Sequence, residues 1–262
     1  MLCYKPIHLK SGVTAPCGKC YACLSRRRND WSVRMQEERK RSLSSFFVTL
    51  TYEDSELPDG ANVCKKDVQL FFKRLRKEFY TIVNSKIDDK KDFLRMKYMC
   101  VSEYGPNGTE RPHYHMLIFL SRRITYDQML VFIEHAWSKG FVSVSSVTDA
   151  RIHYCTGYII NLQDTHGRVK PFNLYSKGLG ISYVSDMSDY HTIFNPYYTS
   201  VGGYRLALPR YWKNKIYSEE ERNVMNLSFQ VDAERHFRYY PLEAQRALEE
   251  KKYRIFVKHK KH

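Results

Sequence analysis

Two histidines one residue apart open an apolar run in the stretch ERPHYHMLIF, residues 110–119. Side chains on a strand alternate between the two faces, so His113 and His115 should share one face while Tyr114 points to the other. Two neighbouring imidazoles are half of a binding site for a divalent metal ion. The alternative interpretation is structural, with one histidine exposed and the other hydrogen-bonded in the core.

A nearby carboxylate could complete this site. The stretch MKYMCVSEYG, residues 96–105, has the composition of a strand, and a turn centred near Gly108 separates it from the histidine strand. In a symmetric hairpin Glu103 lies opposite His113 and shares the face of both histidines. Two imidazoles and one carboxylate leave positions open on a metal ion, as a catalytic site requires. A register slip of one residue would instead turn Glu103 to the other face.

Two tyrosines four residues apart offer a nucleophile. Tyr154 and Tyr158 lie in the stretch HYCTGY, and on a helix they project from one face with Cβ atoms about 5–6 Å apart. A phenol with its usual pKa of about 10 is a poor nucleophile alone. A divalent cation that polarises a phosphate oxygen makes the phosphorus easier to attack. The alternative is that both tyrosines are core or rim aromatics.

Four of the seven cysteines cluster near the N-terminus, at Cys3, Cys17, Cys20 and Cys23. The C-x2-C-x2-C spacing is typical of metal–thiolate sites, and it predicts a structural Zn²⁺ site with Cys3 as the fourth ligand. Iron–sulfur ligation also uses such runs, although nothing else here suggests electron transfer. The odd cysteine count argues against a disulfide framework.

The charge balance points to a polyanionic partner. The 262 residues include 43 Lys+Arg against 28 Asp+Glu, a formal net charge of +15. Such a field attracts nucleic acid, and the 15% aromatic content suits the stacking of single-stranded bases. The alternative is a basic protein without a nucleic-acid partner.

The sequence shows neither an apolar run long enough to span a membrane nor the apolar core of a secretory signal. We therefore expect no membrane partner and a location in the cytosol.

The order of predicted elements defines a fold class. Hydrophobic patterns predict strands over residues 44–54, 96–105, 113–120 and 140–147, with helices over 66–80 and from 125 to near 140, and a further helix carries the two tyrosines. This β-α-β-β-α-β order is the split arrangement of ferredoxin-like and RRM-like folds. We predict an α+β fold: an antiparallel sheet of four to five strands, its first and third strands central and its helices on one face.

Together these motifs resemble a known family. The matching stretches, which span about residues 3–217, are PCGKCYAC with RRRNDWSVRMQEE, FFVTLTYED, VSEYGPNGTERPHYHMLIF, IHYCTGYIIN, SKGLGISY and LPRYWKNKIY. The chain resembles the rolling-circle replication initiators of the HUH endonuclease superfamily, in particular those of gokushovirus-type Microviridae phages. The resemblance divides the chain into a cysteine-rich basic segment (1–42), an HUH endonuclease domain (43–217) and a charged, mainly helical tail (218–262).

The resemblance implies a mechanism. Glu103, His113 and His115 would hold Mg²⁺ or Mn²⁺, and Tyr154 and Tyr158 would attack the phosphate of a single-stranded DNA origin. One tyrosine would keep a 5′-phosphotyrosine and release a 3′-OH, and the second would allow the circle to be closed. Host polymerase and helicase would be partners in the cytoplasm of a bacterial cell. The cations expected to contact DNA are Arg26, Arg27, Arg28, Arg111, Arg151, Lys170 and Lys177.

The sequence departs from this family at two positions. Relatives commonly carry a lysine three residues after each tyrosine, where this chain has Gly157 and Asn161. Arg151, Lys170 or Lys177 could supply the missing charge.

Two rival functions remain open from the sequence. A non-catalytic single-strand binder explains the charge and the tyrosines, and a metal-dependent hydrolase that uses activated water would leave the tyrosines as bystanders.

Overall fold

The computed structural model describes residues 3, 5–10, 14–90, 93–105, 110–159, 167–239, 243–244, 247 and 250–251. Its strands are β1 Ile7–His8, β2 Thr14–Ala15, β3 Ser44–Thr51, β4 Met96–Tyr104, β5 Pro112–Leu120, β6 Val142–Ser146, β7 Asn173–Tyr175, β8 Tyr197–Thr199 and β9 Arg205–Ala207. Its α-helices are α1 Tyr21–Arg41, α2 Lys65–Glu78, α3 Tyr126–Ala136, α4 Asp149–Gly157, α5 Ser182–Met187, α6 Arg210–Ile216 and α7 Glu219–Tyr239. A π-helical turn, Phe79–Val83, extends α2, and short 3-10 turns occur at Asp54–Glu56, Asp59–Ala61, Asn84–Lys86 and Ser188–Tyr190.

The central sheet has five antiparallel strands in the order β6-β3-β5-β4-β7. β3 pairs along its whole length with β5, and β5 pairs on its other side with β4. The first and third strands of the predicted motif are therefore central, and the predicted α+β fold is confirmed. The short strand β7 adds the fifth strand beside β4.

Helices α2 and α3 cover one face of the sheet, as expected from their apolar stripes. The Thr125 side chain accepts a hydrogen bond from the backbone N–H of Gln128, whose own side chain accepts from the Thr125 N–H, so α3 begins with the predicted capping box. Their core with the sheet is built mainly from Val48, Leu50, Val68, Phe71, Phe72, Leu75, Tyr114, Met116, Ile118, Met129, Phe132 and Ile133.

The other face of the sheet also carries helical segments, although the sequence placed helices on one face. Lys97 points to this face from β4, and its Nζ lies 2.9 Å from Glu38 Oε2 of α1. Helix α4 lies against β5 on the same side, with the Tyr154 ring centroid 5.1 Å from that of His115. This placement brings the tyrosine helix to the histidine strand.

A close backbone approach fixes the loop that leads into β6. The Thr51 N–H donates to the Phe141 carbonyl, and the Glu53 N–H donates to the Lys139 carbonyl, both at 3.0 Å. Gly140 lies between these acceptors with a φ of +146°, and a Cβ there would lie 2.3 Å from the Glu53 nitrogen. Only glycine fits this approach without a shift of the backbone.

The chain divides into two compact units, residues 35–179 and residues 1–34 with 180–262, so that the division falls within α1. The first unit contains the five-stranded sheet. The predicted boundaries after residues 42 and 217 stay a prediction. The expected helical tail includes α7, and most of residues 240–262 lie outside the described part of the chain.

The second unit has an aromatic core of its own. The buried indole of Trp212 stacks on Tyr183 with ring centroids 4.0 Å apart, and its Nε1–H donates to the Gly180 carbonyl at 2.9 Å. Tyr198 and Val33 pack into the same cluster. A hydrogen-bonded buried indole is the arrangement in which tryptophan contributes most to a core.

Among the helices that the structure describes, none is both long enough and apolar enough to cross a bilayer.

Candidate active site

The strand register places the predicted acid and histidines on one face. Glu103 of β4 pairs directly with His113 of β5, as the symmetric hairpin predicted, and His115 lies between Val101 and Thr49 on the neighbouring strands. Paired residues in an antiparallel sheet share a face. Tyr114 points to the opposite face and is fully buried in the core with α2 and α3.

Glu103 and His115 are in direct contact. His115 Nε2 lies 2.5 Å from Glu103 Oε1, and both side chains are buried, with the residues 8% and 5% exposed. Burial raises the pKa of Glu103, but hydrogen bonds from His115, Tyr158 and Tyr154 outweigh it, so the net pKa lies below the usual value. The carboxylate is therefore charged at neutral pH.

Each histidine has a partner on its Nδ1 atom. The Nδ1–H of His113 donates to the Arg111 carbonyl at 2.7 Å, and His115 Nδ1 lies 3.0 Å from the Thr49 hydroxyl. A metal-binding histidine usually donates its second ring nitrogen to such a partner, which fixes the tautomer. In His113 this arrangement leaves Nε2 with the lone pair that a metal ion requires.

The ligand atoms of this trio are spread more widely than those of a closed metal site. In the described part of the chain, only the four N-terminal cysteines bring three or more potential ligand atoms within 4.8 Å of one another. His115 now uses its Nε2–H to contact Glu103, where a bound ion would take both atoms. The Thr49 hydroxyl can accept as well as donate, so His115 can move its proton to Nδ1. The donor set of two imidazoles and a carboxylate therefore fits a divalent ion.

The two predicted tyrosines reach the same point from α4. The Tyr154 hydroxyl donates to Glu103 Oε1 at 2.9 Å and lies 3.3 Å from His115 Nε2. The Tyr158 hydroxyl in turn donates to that of Tyr154 at 2.8 Å. Burial raises the pKa of both phenols and the charge of Glu103 adds to the rise, so both are protonated at neutral pH.

The geometry of α4 explains how both hydroxyls converge. Thr148 caps the helix through its side chain, and the helix ends at Gly157, earlier than its sequence pattern suggested. Tyr158 follows as the C-cap with helical backbone angles, φ −71° and ψ −16°. The four-residue spacing of Tyr154 and Tyr158 therefore keeps its helical geometry, with ring centroids 5.1 Å apart.

Phe47 is part of the site and was missed by sequence reasoning. Its ring stacks on His115 with centroids 5.7 Å apart and meets the edge of Tyr154 at 6.5 Å. The guanidinium of Arg151 lies over the other side of this contact, 5.2 Å from the Phe47 centroid. The signal was available, because Phe47 and Thr49 alternate with the core residues of FFVTLTYED and must share the histidine face.

A cavity of about 370 Å³ opens beside His113. It is lined by Thr51, Tyr52, Glu53, Asp54, Arg111, His113 and Phe141. The Phe141 ring is 70% exposed. Arg111 lies at this cavity, where it contacts Asp54 Oδ1 at 2.5 Å and the Tyr52 carbonyl at 2.9 Å. Because the Asp54 side chain is exposed, this ion pair is weak and an anion could compete for the arginine.

The other predicted DNA contacts are more scattered. Lys170 and Lys177 are exposed on the segments before and after β7. Arg26 and Arg27 are exposed and Arg28 is half-buried on α1, in the unit that does not contain the sheet, and their role stays a prediction. Of the two positions that lack the family's lysines, Gly157 is buried at the end of α4 and Asn161 lies outside the described residues.

The four cysteines, in contrast, lie together near the start of α1, within the same unit as Arg26.

Comparison with known proteins agrees with this arrangement. Residues 45–163 match the family model of the replication-associated protein ORF2. The chain is also 27% identical over 216 residues to the replication-associated protein VP4 of Bdellovibrio phage phiMH2K, a match that covers 76% of this chain and 66% of that protein, just under two thirds of its length. No solved structure gives a significant match.

The matched region contains every residue of the site, from Phe47 to Tyr158. Residues 45–163 therefore form a replication-associated protein domain of the ORF2 family, which confirms the resemblance to phage replication initiators.

Proposed function

We propose that this protein is a sequence-specific single-stranded DNA nickase and ligase that starts rolling-circle replication of a small single-stranded DNA phage genome in the cytoplasm of its bacterial host. The observation that carries the proposal is the contact of the Tyr154 hydroxyl with Glu103 and His115. A nucleophile, a charged acceptor and metal-type ligands thus meet at one point on the surface of a basic protein.

Glu103, His113 and His115 would hold Mg²⁺ or Mn²⁺. When bound, the ion would polarise the scissile phosphate and offset the charge that develops during attack. Phe47 supports this ligand set because its ring, stacked on His115, restricts rotation of that imidazole.

Tyr154 is proposed as the first nucleophile. Its oxygen forms a bond to phosphorus while the bond from phosphorus to the 3′ oxygen breaks, which yields a 5′-phosphotyrosine and a free 3′-OH. Glu103 Oε1 already accepts the hydrogen bond of this phenol and is the nearest acceptor for its proton. One phosphodiester replaces another, so rejoining needs no ATP.

Tyr158 is proposed as the second nucleophile. Its hydroxyl is 2.8 Å from that of Tyr154 but reaches Glu103 less directly. After one round of synthesis it could attack the regenerated origin, and the released 3′-OH would then attack the Tyr154 linkage and close the circle. Two phenols on one helical face give this alternation a geometric basis.

The cations near the site support DNA binding. Arg151 precedes Tyr154 by one helical turn and lies against Phe47, where it could replace the lysines that relatives carry. Arg111 and the exposed ring of Phe141 beside the cavity could contact a phosphate and a base. Host polymerase and helicase are the expected partners of the free 3′-OH and the displaced strand.

The test uses labelled single-stranded oligonucleotides tiled across the genome that encodes this chain, incubated with the full protein and Mn²⁺. We expect a labelled protein–DNA band on denaturing gels that requires the metal ion and is absent from the Tyr154→Phe/Tyr158→Phe double variant. Tyr126→Phe, which changes an exposed tyrosine on α3, is the matched control and should keep the band.

The rival functions predict other outcomes. Nicked DNA without a covalent band would favour a hydrolase that uses water. Binding without cleavage, with every oligonucleotide and either metal ion, would favour a single-strand binder. Either result would refute the transesterase.

A further inference from the structure

Four cysteine side chains converge where α1 begins. Cys3 precedes the β1–β2 hairpin, Cys17 follows it, and Cys20 and Cys23 lie at the first turn of the helix. The Sγ atoms of Cys3 and Cys20 are 3.9 Å apart, and those of Cys17 and Cys23 are 4.0 Å apart. All four Sγ atoms lie within 4.8 Å of one another.

These distances match the edges of a single tetrahedral site. A Zn–S bond of about 2.3 Å gives sulfur–sulfur edges of about 3.8 Å around one ion. A disulfide requires about 2.05 Å between sulfurs, and all four cysteines are free. An iron–sulfur cluster places several metal ions between its ligands, so it would require the cysteine sulfurs to lie farther apart than in this group.

Backbone N–H groups point at two of these sulfurs. The Cys17 N–H donates to Cys3 Sγ at 3.2 Å, and the Cys20 and Lys19 N–H groups donate to Cys17 Sγ at 3.3 and 3.5 Å. Such donors stabilise negative charge on sulfur, and they lower the pKa of Cys17 to about 6. The turn depends on Gly18, whose φ of +72° is in the left-handed region.

Packing does not account for this cluster. Cys100 and Cys155 are fully buried, as free cysteines in cores usually are, whereas the four clustered cysteines are only half-buried. Four half-exposed thiols in mutual contact form little apolar core, but they provide a complete set of soft ligands.

We propose that Cys3, Cys17, Cys20 and Cys23 bind one Zn²⁺ ion as a closed structural site. Four thiolates complete the tetrahedral coordination and leave no position for a substrate, so this site is distinct from the one at Glu103. The ion would fasten the β1–β2 hairpin to the first turn of α1. The proposal does not depend on the proposed nickase function.

The test is metal analysis of the full chain, purified without chelators. We expect one zinc per chain, a colourless protein, and a lower melting temperature after zinc is removed by a chelator. Replacement by Co²⁺ should give the intense visible absorption of tetrahedral cobalt thiolate. Cys20→Ser should lose the zinc, whereas Cys64→Ser, which changes a half-buried cysteine outside the cluster, should retain it.

A second variant separates loss of the ligand from loss of the fold. Cys20→His supplies another zinc ligand at the same position and should retain at least half of the zinc, because Cys₃His sites are common. Folded wild-type protein without stoichiometric zinc, or with iron in its place, would overturn the proposal, and so would full zinc occupancy in Cys20→Ser.

Discussion

At the scale of single residues, the site depends on how His115 shares its two ring nitrogens. Nε2 contacts Glu103 and Nδ1 contacts the Thr49 hydroxyl, so the tautomer of the ring follows from these two partners. With Nε2–H directed at the carboxylate, Thr49 must donate to Nδ1. A cation on Nε2 would require the reverse, and a hydroxyl is the side-chain group that can serve in both states.

Thr49→Val should therefore weaken metal binding without removing a proposed metal ligand. Valine keeps the branched shape that suits a strand, but it leaves Nδ1 without a partner. Loss of such a partner typically costs about 10–100-fold in metal affinity. The Mn²⁺ concentration that gives half-maximal cleavage should rise by this factor.

Thr49→Ser is the control, because it keeps the hydroxyl and should leave the Mn²⁺ requirement within about threefold of wild type. An unchanged requirement in Thr49→Val would show that the hydroxyl does not orient His115.

At the scale of elements, the sequence predicted the parts that depend on local pattern. The alternation in β3 and β5, the apolar stripe of α2 and the capping box at Thr125 each have a local cause, and all are confirmed. The pairing of Glu103 with His113 was also predicted, because a short symmetric turn fixes the register of a hairpin.

Other features depend on tertiary packing and were beyond the sequence. The end of α4 at Gly157, the position of α4 against β5 and the stacking of Phe47 on His115 result from contacts between distant segments. The division of the chain within α1 has no composition shift or proline to mark it, since the helix is continuous across that point.

The packing of α2 on the sheet predicts a large effect of one leucine. Leu75 is fully buried in the core that supports β5 from behind. Leu75→Ala should lower the free energy of unfolding by about 2–5 kcal/mol, through lost burial and the cavity left behind. Urea denaturation followed by circular dichroism measures the change.

Leu70→Ala on the same helix is the matched control. Leu70 is 37% exposed, and its truncation should cost less than about 1 kcal/mol. Equal effects of the two changes would contradict the assignment of the buried face of α2.

At the scale of the whole molecule, the formal charge of +15 should govern how DNA binds. Cations that neutralise phosphates release counterions, so affinity falls as salt rises. For about five phosphate contacts on a single strand, the affinity should decrease on the order of 100-fold between about 50 and 200 mM salt. Fluorescence anisotropy with a labelled single strand measures the slope.

Arg151→Gln should reduce the magnitude of that logarithmic slope by about 0.7, the value for one phosphate contact. Arg76→Gln removes the same charge from α2, where the guanidinium lies 5.4 Å from the Tyr98 ring centroid, and should leave the slope unchanged. Equal slopes for wild type and Arg151→Gln would remove Arg151 from the DNA-binding surface.

The most direct test of the proposed reaction is to identify the amino acid that becomes joined to DNA. After reaction with Mn²⁺ and single-stranded DNA, the protein is digested with nuclease and protease and the peptides are analysed by mass spectrometry. The account predicts a nucleotide attached through phosphate to Tyr154 in wild type, and to Tyr158 at a reduced yield in Tyr154→Phe. A nicked product with neither tyrosine modified, or with the nucleotide on another residue, would contradict it.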